Sequence, residues 1–175
     1  MRMWTLALIL GMCESVAFSQ SQSDDTLKAI RERLMTAKAV AMAKFNSGAA
    51  VEDEPRERDV LHRAVRMAVK LGADVELTVK VFEAQIEASK VAQRSFLQRW
   101  HGRPKFATVP NLATEIRPKL DALTPVILRG IKHHIMWTGA ALNVGPSDPL
   151  YREAWRIAVS PFLTQKVGAH HRSLR

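Results

Sequence analysis

Cysteine, aromatic residues and strand-forming runs are all scarce in this sequence. Its single cysteine, Cys13, lies in an apolar N-terminal segment, and aromatic residues make up 6% of the chain. A fold held by disulfides is therefore excluded, and the lack of long Val, Ile, Thr and Tyr runs argues against a β fold. Ala, Leu, Lys, Arg, Glu and Met dominate instead, and these residues favour helices. With 175 residues, the chain is long enough for one domain with a sizeable core.

The N-terminal segment has the pattern of an export signal. Residues 3–12 form an apolar run, which is too short for a membrane span of ~20 apolar residues. Small residues follow at Ala17 and Ser19, so we predict a cleavable signal peptide over residues 1–19 and a mature domain over residues 20–175. A lipoprotein with an acylated Cys13 is disfavoured, because the preceding Met12 is larger than the small residue that normally stands there.

Along the mature chain, apolar residues recur every three or four positions, as in amphipathic helices. Caps, glycines and prolines mark the ends of the segments, and Pro118 and Pro125 are expected to kink or interrupt one of them. The chain is therefore predicted to be all-α, a single-domain bundle of about five to six helices, with a loop over residues 139–146. The predicted helices run from Asp24 or Asp25 to about Ser47, from the N-cap Asp53 to Leu71, from Val75 to about Trp100, from Leu112 to Trp137, and from Ser147 to about Leu163.

Two polar features interrupt the ordinary pattern of a helical bundle. The third helix has Ser89 and Gln93 within an otherwise apolar stripe, which comprises Phe82, Ile86, Ser89, Gln93, Leu97 and Trp100. On the first helix, Arg33 and Lys44 are eleven residues apart, close to three whole turns, so both project from one face. The pattern indicates a helical bundle with a polar, cationic cavity. Taken alone, Ser89 and Gln93 also fit satisfied polar residues of a core, and Arg33 and Lys44 also fit ordinary solvated charges.

The net charge of +9 and the pI near 10.2 are consistent with an anionic partner. Nucleic acid, an anionic membrane face and a small polyanionic substrate all fit this charge, and so does a cationic surface that only maintains solubility. Adjacent histidines at 133–134 and 170–171 diverge on a helix, so we do not expect them to hold a metal.

Three segments together resemble the all-helical chorismate mutases, and most of all their secreted, or gamma, subclass. They run from Val51 to Arg63, from Leu71 to Asp74 and from Phe82 to Gln93. The resemblance extends from about Arg31 to Gln98 and, more weakly, over residues 112–123. It places the catalytic motifs mainly in residues 31–98 and a second helical half in residues 112–165.

This resemblance implies the conversion of chorismate to prephenate, a step of aromatic amino-acid biosynthesis, without cofactor, metal or covalent intermediate. Lys44 and Gln93 would be the catalytic donors to the ether oxygen. The implied substrate-binding residues are Arg33, Arg56 and Arg117 for the two carboxylates, Ser89 beside them, Lys44 between a carboxylate and the ether oxygen, Gln93 at that oxygen, and Asp53 and Glu57 at the ring hydroxyl. The resemblance further implies a periplasmic or secreted homodimer, with neither nucleic acid nor, after signal cleavage, a membrane as partner.

Two other functions remain compatible with the sequence. A helical nucleic-acid-binding protein would use the basic residues between Arg94 and Lys132 as a phosphate-contacting stripe, but no recognisable binding module accompanies them. An exported binding protein with the same fold but without turnover is the second alternative, and the presence of both Lys44 and Gln93 disfavours it.

We predict that the mature protein begins between Phe18 and Gln20, because small residues flank the end of the apolar run. Intact-mass spectrometry of protein isolated from an exporting host checks this prediction. A retained Met1, or a lipid on Cys13, would contradict it.

Overall fold

Six α-helices account for most of the fold in the computed structural model, which describes residues 21–137 and 139–163. The predicted signal peptide and the basic C-terminal tail lie outside these residues. The helices are α1 (residues 21–35), α2 (Ala37–Ser47), α3 (Glu54–Leu71), α4 (Val75–Trp100), α5 (Arg117–Lys132) and α6 (Arg152–Val159). The predicted all-α class is confirmed. Among the described residues, no helix is long and apolar enough to cross a membrane.

Side-chain caps fix the starts of α3 and α4 where the sequence predicts them. Asp53 accepts a hydrogen bond from the backbone N–H of Arg56, and Asp74 accepts one from that of Leu77. Each satisfies one of the donors that a helix leaves free in its first turn. Gly72 ends α3 with φ 66°, a left-handed conformation that glycine adopts without steric cost.

The first predicted helix is divided at Thr36 into α1 and α2. The Thr36 hydroxyl donates to the carbonyl oxygen of Arg33 at 2.7 Å, and such back-bonding competes with the regular helical ladder. The ladder resumes at once, because the N–H of Val40 donates to the carbonyl oxygen of Thr36. The interruption is therefore confined to the turn at Thr36.

The fourth predicted helix starts with a wider turn. Residues Leu112–Ile116 form a π-helical turn before α5 begins at Arg117. Pro118 has no N–H to donate to the carbonyl oxygen of Thr114, and in a regular α-helix its ring would clash with that group. The wider turn relieves this conflict. Asn111 caps the turn by accepting hydrogen bonds from the N–H groups of Ala113 and Thr114.

Three details of the predicted second half were wrong. Helix α5, which contains Pro125, ends at Lys132, five residues before the predicted end. The predicted loop contains a 3-10 helix, Gly139–Val144. The last predicted helix comprises a 3-10 turn (Pro149–Tyr151), α6 and a second 3-10 turn (Ser160–Phe162).

Helix α4 lies at the centre of the bundle and packs against α2, α3 and α6. The predicted apolar stripe was only partly right, because Ile86, Ser89 and Leu97 are half-buried while Ala88 and Ala92 are fully buried. The small alanines allow neighbouring helices to approach closely. The half-buried side of α4 faces α3 and leaves room for a pocket.

Gly130 marks a close approach of α5 to α1. A Cβ atom at Gly130 would lie 2.5 Å from both the Cγ2 and Oγ1 atoms of Thr26, which is fully buried. Overpacking of this kind lowers the free energy of unfolding by ~1–3 kcal/mol. The higher helix propensity of alanine compared with glycine raises it by about 1 kcal/mol. We expect Gly130→Ala to lower the free energy of unfolding, by up to about 2 kcal/mol, measured by urea denaturation of the mature chain.

A double-mutant cycle isolates this contact. In a Thr26→Ala background the same Gly130→Ala change should cost clearly less, because the two atoms at 2.5 Å are gone and only the Cβ atom of residue 26, at 3.0 Å, remains close. Gly139→Ala serves as a control, since a Cβ there meets nothing within 4 Å. An equal loss of stability in both backgrounds would show that the Thr26 contact is not the cause.

Candidate active site

One pocket between the helices is lined by all eight side chains that the sequence analysis selects. It is bounded by α1 and α2 on one side, by α3 and α4 on the other, and by the π-helical turn and the start of α5. The eight residues in its lining are Arg33, Lys44, Asp53, Arg56, Glu57, Ser89, Gln93 and Arg117. Their functional roles remain predictions, but their convergence is a property of the fold.

Arg33 enters the pocket from the end of α1 and is buried, with 9% of its surface exposed. Its guanidinium carbon lies 5.2 Å from the centre of the Phe82 ring, an arrangement that attracts a cation. The pKa of Arg33 is lowered to about 10, mainly by burial and to a smaller extent by the like charges of Arg56 and Arg63, while the charge of Asp121 acts in the opposite direction. Arg33 remains a cation at neutral pH, and its guanidinium donates no hydrogen bond to any residue that the structure describes.

Lys44 lies three turns further along and is half-buried. Its Nζ donates to the carbonyl oxygen of Val51 at 2.6 Å, so the lysine holds the α2–α3 connection against the pocket. Burial lowers the pKa of Lys44, and the carboxylates of Asp53, Glu52 and Glu57 act in the opposite direction. An ammonium has three donors, and two remain for a ligand.

Ser89 and Gln93 meet on one face of α4, and Gln93 Nε2 donates to Ser89 Oγ at 3.0 Å. Gln93 is buried, and its Oε1 atom accepts no hydrogen bond from the part of the chain that the structure describes. An unpartnered buried oxygen costs free energy. Because a serine hydroxyl both donates and accepts, the amide can rotate by half a turn and keep the bond to Ser89. The rotation exchanges the positions of Nε2 and Oε1.

The N-terminal end of α3 supplies two carboxylates and an arginine. Glu57 accepts a hydrogen bond from the backbone N–H of Asp53, and its Oε2 lies 3.3 Å from the Nζ of Lys90. Arg56 donates through Nη1 to Asp59 at 2.8 Å, which leaves its other N–H groups available. Carboxylates are favourable at this helix end because it carries a partial positive charge.

Arg117 is exposed and lies at the first position of α5. The π-helical turn that precedes it packs against both α2 and α5. The turn therefore sets where Arg117 joins the pocket, together with its neighbours Leu112, Ile116 and Leu120.

The sequence analysis missed Gln85 and Lys90, which also line the pocket. Gln85 lies four residues before Ser89 on the same face of α4, and this spacing was the available signal. Its Nε2 donates to the carbonyl oxygen of Ala158 at 2.8 Å, so it also ties α4 to α6. The local sequence does not predict that Lys90 lines the pocket, because its ion pair with Glu57 joins two helices that are distant in sequence.

The pocket as a whole is suited to a small anion. Five cationic side chains and two carboxylates line it, with one serine, one threonine and two glutamines. Guanidinium groups bind carboxylates through paired hydrogen bonds. Fold and pocket thus define an all-α protein with a cationic binding site between its helices.

Comparisons with known proteins agree with this class. The family model for chorismate mutase type II matches residues 23–94. A monofunctional chorismate mutase from Enterobacter agglomerans is 32% identical over 135 residues, which cover 75% of this chain and 74% of the relative. The secreted chorismate mutase of Mycolicibacterium smegmatis is 34% identical over 116 residues, and the match spans 65% of this chain and 64% of that protein.

A solved structure shows the same similarity at the level of the fold. The crystal structure of chorismate mutase from Burkholderia phymatum aligns with a TM-score of 0.70 and 28% identity, covering 83% of this chain and 99% of that one. The chain belongs to the type II chorismate mutase family, and the predicted resemblance is confirmed.

Proposed function

We propose that this protein converts chorismate to prephenate and that the pocket between α1 to α5 is its active site. The observation that carries the proposal is the convergence of eight residues, drawn from five helices and a connection, on one cationic cavity. The reaction is an intramolecular rearrangement, in which one C–O bond breaks while a C–C bond forms. It needs no nucleophile, metal or external base, and an enzyme accelerates it by selecting the reactive conformer and stabilising developing charge.

The arginines bind the substrate, which carries two carboxylates. Arg33 donates no hydrogen bond within the described protein, so its whole guanidinium is available, and Arg56 retains the donors that Asp59 does not use. Arg117 closes the pocket from α5, and Ser89 adds a hydroxyl donor. Fixed guanidinium groups hold a dianion in one orientation because they form planar, paired hydrogen bonds.

Lys44 and Gln93 act on the ether oxygen, where negative charge grows as the C–O bond breaks. Lys44 has two free N–H groups beyond its bond to Val51. Gln93 presents an N–H group to the pocket either directly or after the amide rotation that its bond to Ser89 permits. Two donors placed in advance lower the barrier because they need no reorganisation during the reaction.

Asp53 and Glu57 accept hydrogen bonds from the ring hydroxyl. Both lie at the N-terminal end of α3. Lys90 Nζ lies 3.3 Å from Glu57 and 3.1 Å from Glu87, so its charge offsets part of the repulsion between Glu57 and the dianionic substrate.

The protein is exported and works in the periplasm or outside the cell. The signal-like segment over residues 1–19 supports export, and the Mycolicibacterium smegmatis relative is described as secreted. We further propose a homodimer, as the resemblance to the secreted subclass implies.

Arg33→Ala and Arg56→Ala should each lower kcat/KM by about two decades or more, because loss of a buried charged partner costs ~2–5 kcal/mol. The change is measured by the loss of chorismate absorbance, and circular dichroism should remain that of the native chain. Arg58→Ala is the matched control, since this exposed arginine of α3 pairs, among the described residues, only with Glu54 and does not line the pocket. Turnover close to native in either pocket variant would contradict the assignment.

Gln93→Glu should convert a pH-independent donor into one that works only in acid. A carboxyl group donates only while it is protonated, and its ordinary pKa is about 4.3. Once ionised, it sets negative charge against the ether oxygen. The variant should therefore lose kcat/KM progressively as pH rises, whereas Gln93→Ala should be poor throughout.

The comparison is made from about pH 4.5, near the ordinary carboxyl pKa, to alkaline pH, with the native enzyme alongside. Burial raises the pKa of a carboxyl group and nearby cations lower it, so the decline itself, and not its midpoint, is the test. A Glu variant whose profile follows the native one would show that Gln93 does not touch the reacting oxygen.

A further inference from the structure

A second cavity lies directly behind the active-site pocket, between α1, α3 and α5. We call it the rear cavity. Its volume is about 260 Å³, whereas one water molecule occupies about 30 Å³ of liquid, so it has room for a small molecule. Four residues line both cavities and form the wall between them: Arg33, Arg56, Val60 and Leu120.

The charges around the rear cavity are unbalanced. Three guanidinium groups line it, those of Arg33, Arg56 and Arg63, and Asp121 is the one carboxylate in the lining among the described residues. Asp59 lies beside them and is 47% exposed. It accepts a hydrogen bond from Arg56 and forms an ion pair with Arg63.

Two of the three guanidinium groups have unused donors. Arg33 is buried and donates no side-chain hydrogen bond to any described residue. Arg63 Nη2 lies 3.1 Å from Asp59 Oδ2, but the direction of the contact is not that of a hydrogen bond, and this buried nitrogen has no hydrogen-bond partner. A buried donor without a partner is unfavourable, and this applies to Arg63 Nη2, which has to turn toward the cavity to reach an anion. The Arg33 guanidinium lines the cavity and has donors available for an anion there.

The remaining walls are largely apolar. Val60, Ala64 and Met67 contribute one side from α3, and Leu120 contributes the other from α5. A cationic end combined with apolar walls favours a carboxylate that carries an apolar body over a small inorganic anion.

We propose that the rear cavity is a second binding site, which takes a small monocarboxylate with an apolar body. Its carboxylate lies among Arg33, Arg56 and Arg63, and its body packs between α3 and α5. Arg33 and Arg56 therefore lie between this ligand and the active-site pocket.

Occupation of the rear cavity weakens substrate binding, and this part of the inference rests on the proposed function. Substrate and rear ligand would both be anions on shared guanidinium groups, so each reduces the attraction for the other. The coupling is reciprocal by thermodynamic necessity. In turnover assays the rear ligand should raise KM and leave kcat nearly unchanged.

The binding test needs no turnover and so fails or succeeds independently of the proposed reaction. We would titrate the mature protein with 4-fluorobenzoate by fluorine NMR, with uncharged 4-fluorobenzamide as the matched probe. Arg63→Gln removes a guanidinium that attracts the carboxylate of the probe, and such a loss weakens binding. The variant should therefore raise the Kd of 4-fluorobenzoate about fivefold or more. Arg58→Gln removes the same charge from the exposed side of α3 and should leave the Kd within about twofold of native.

A second variant has the opposite expected sign. Asp121→Asn removes the carboxylate that repels an anion in the rear cavity, so the Kd of 4-fluorobenzoate should fall. Three results would each overturn the proposal: no binding to the native protein, equal affinity for the amide probe, or an Arg63→Gln variant that binds like native. The last result would place the probe in the active-site pocket.

Discussion

Burial of the Arg33 guanidinium is the constraint on which the rest of the site depends. Removing a cation from water is costly unless other groups compensate, and the pKa of Arg33, lowered to about 10, reflects this cost. The Phe82 ring at 5.2 Å and the charge of Asp121 offset part of it. No described residue completes the hydrogen bonds of this guanidinium, so the folded protein keeps a cation ready for an anionic ligand.

Several of the surrounding charged groups have a fixed partner within the protein. Asp59 accepts from Arg56, Lys90 pairs with Glu57, and Lys44 donates to a backbone carbonyl. These contacts fix side chains that would otherwise repel one another or move freely. Such preorganisation suits a reaction that depends on orientation and on electrostatic stabilisation of one oxygen.

Gln93 in the active-site pocket and Arg63 in the rear cavity share one property. Each has a buried polar atom without a hydrogen-bond partner among the described residues. Such atoms are uncommon in folded proteins, and here they are Gln93 Oε1 and Arg63 Nη2. Their positions beside two adjoining cavities are consistent with groups that complete their hydrogen bonds only when ligands are present.

The sequence by itself determined the helical class, the bounds of α3 and α4, and the residues to examine. Caps such as Asp53, Asp74 and Gly72 act within one turn, so their effect can be predicted from neighbouring residues. The spacing of Arg33 and Lys44 likewise follows from helical geometry alone. Only the tertiary structure decided which face of α4 is buried and how the π-helical turn places Arg117. It alone also decided the ion pair between Lys90 and Glu57. These features depend on contacts between distant segments, where packing outweighs local preference, and so does the wall of arginines that separates the two cavities.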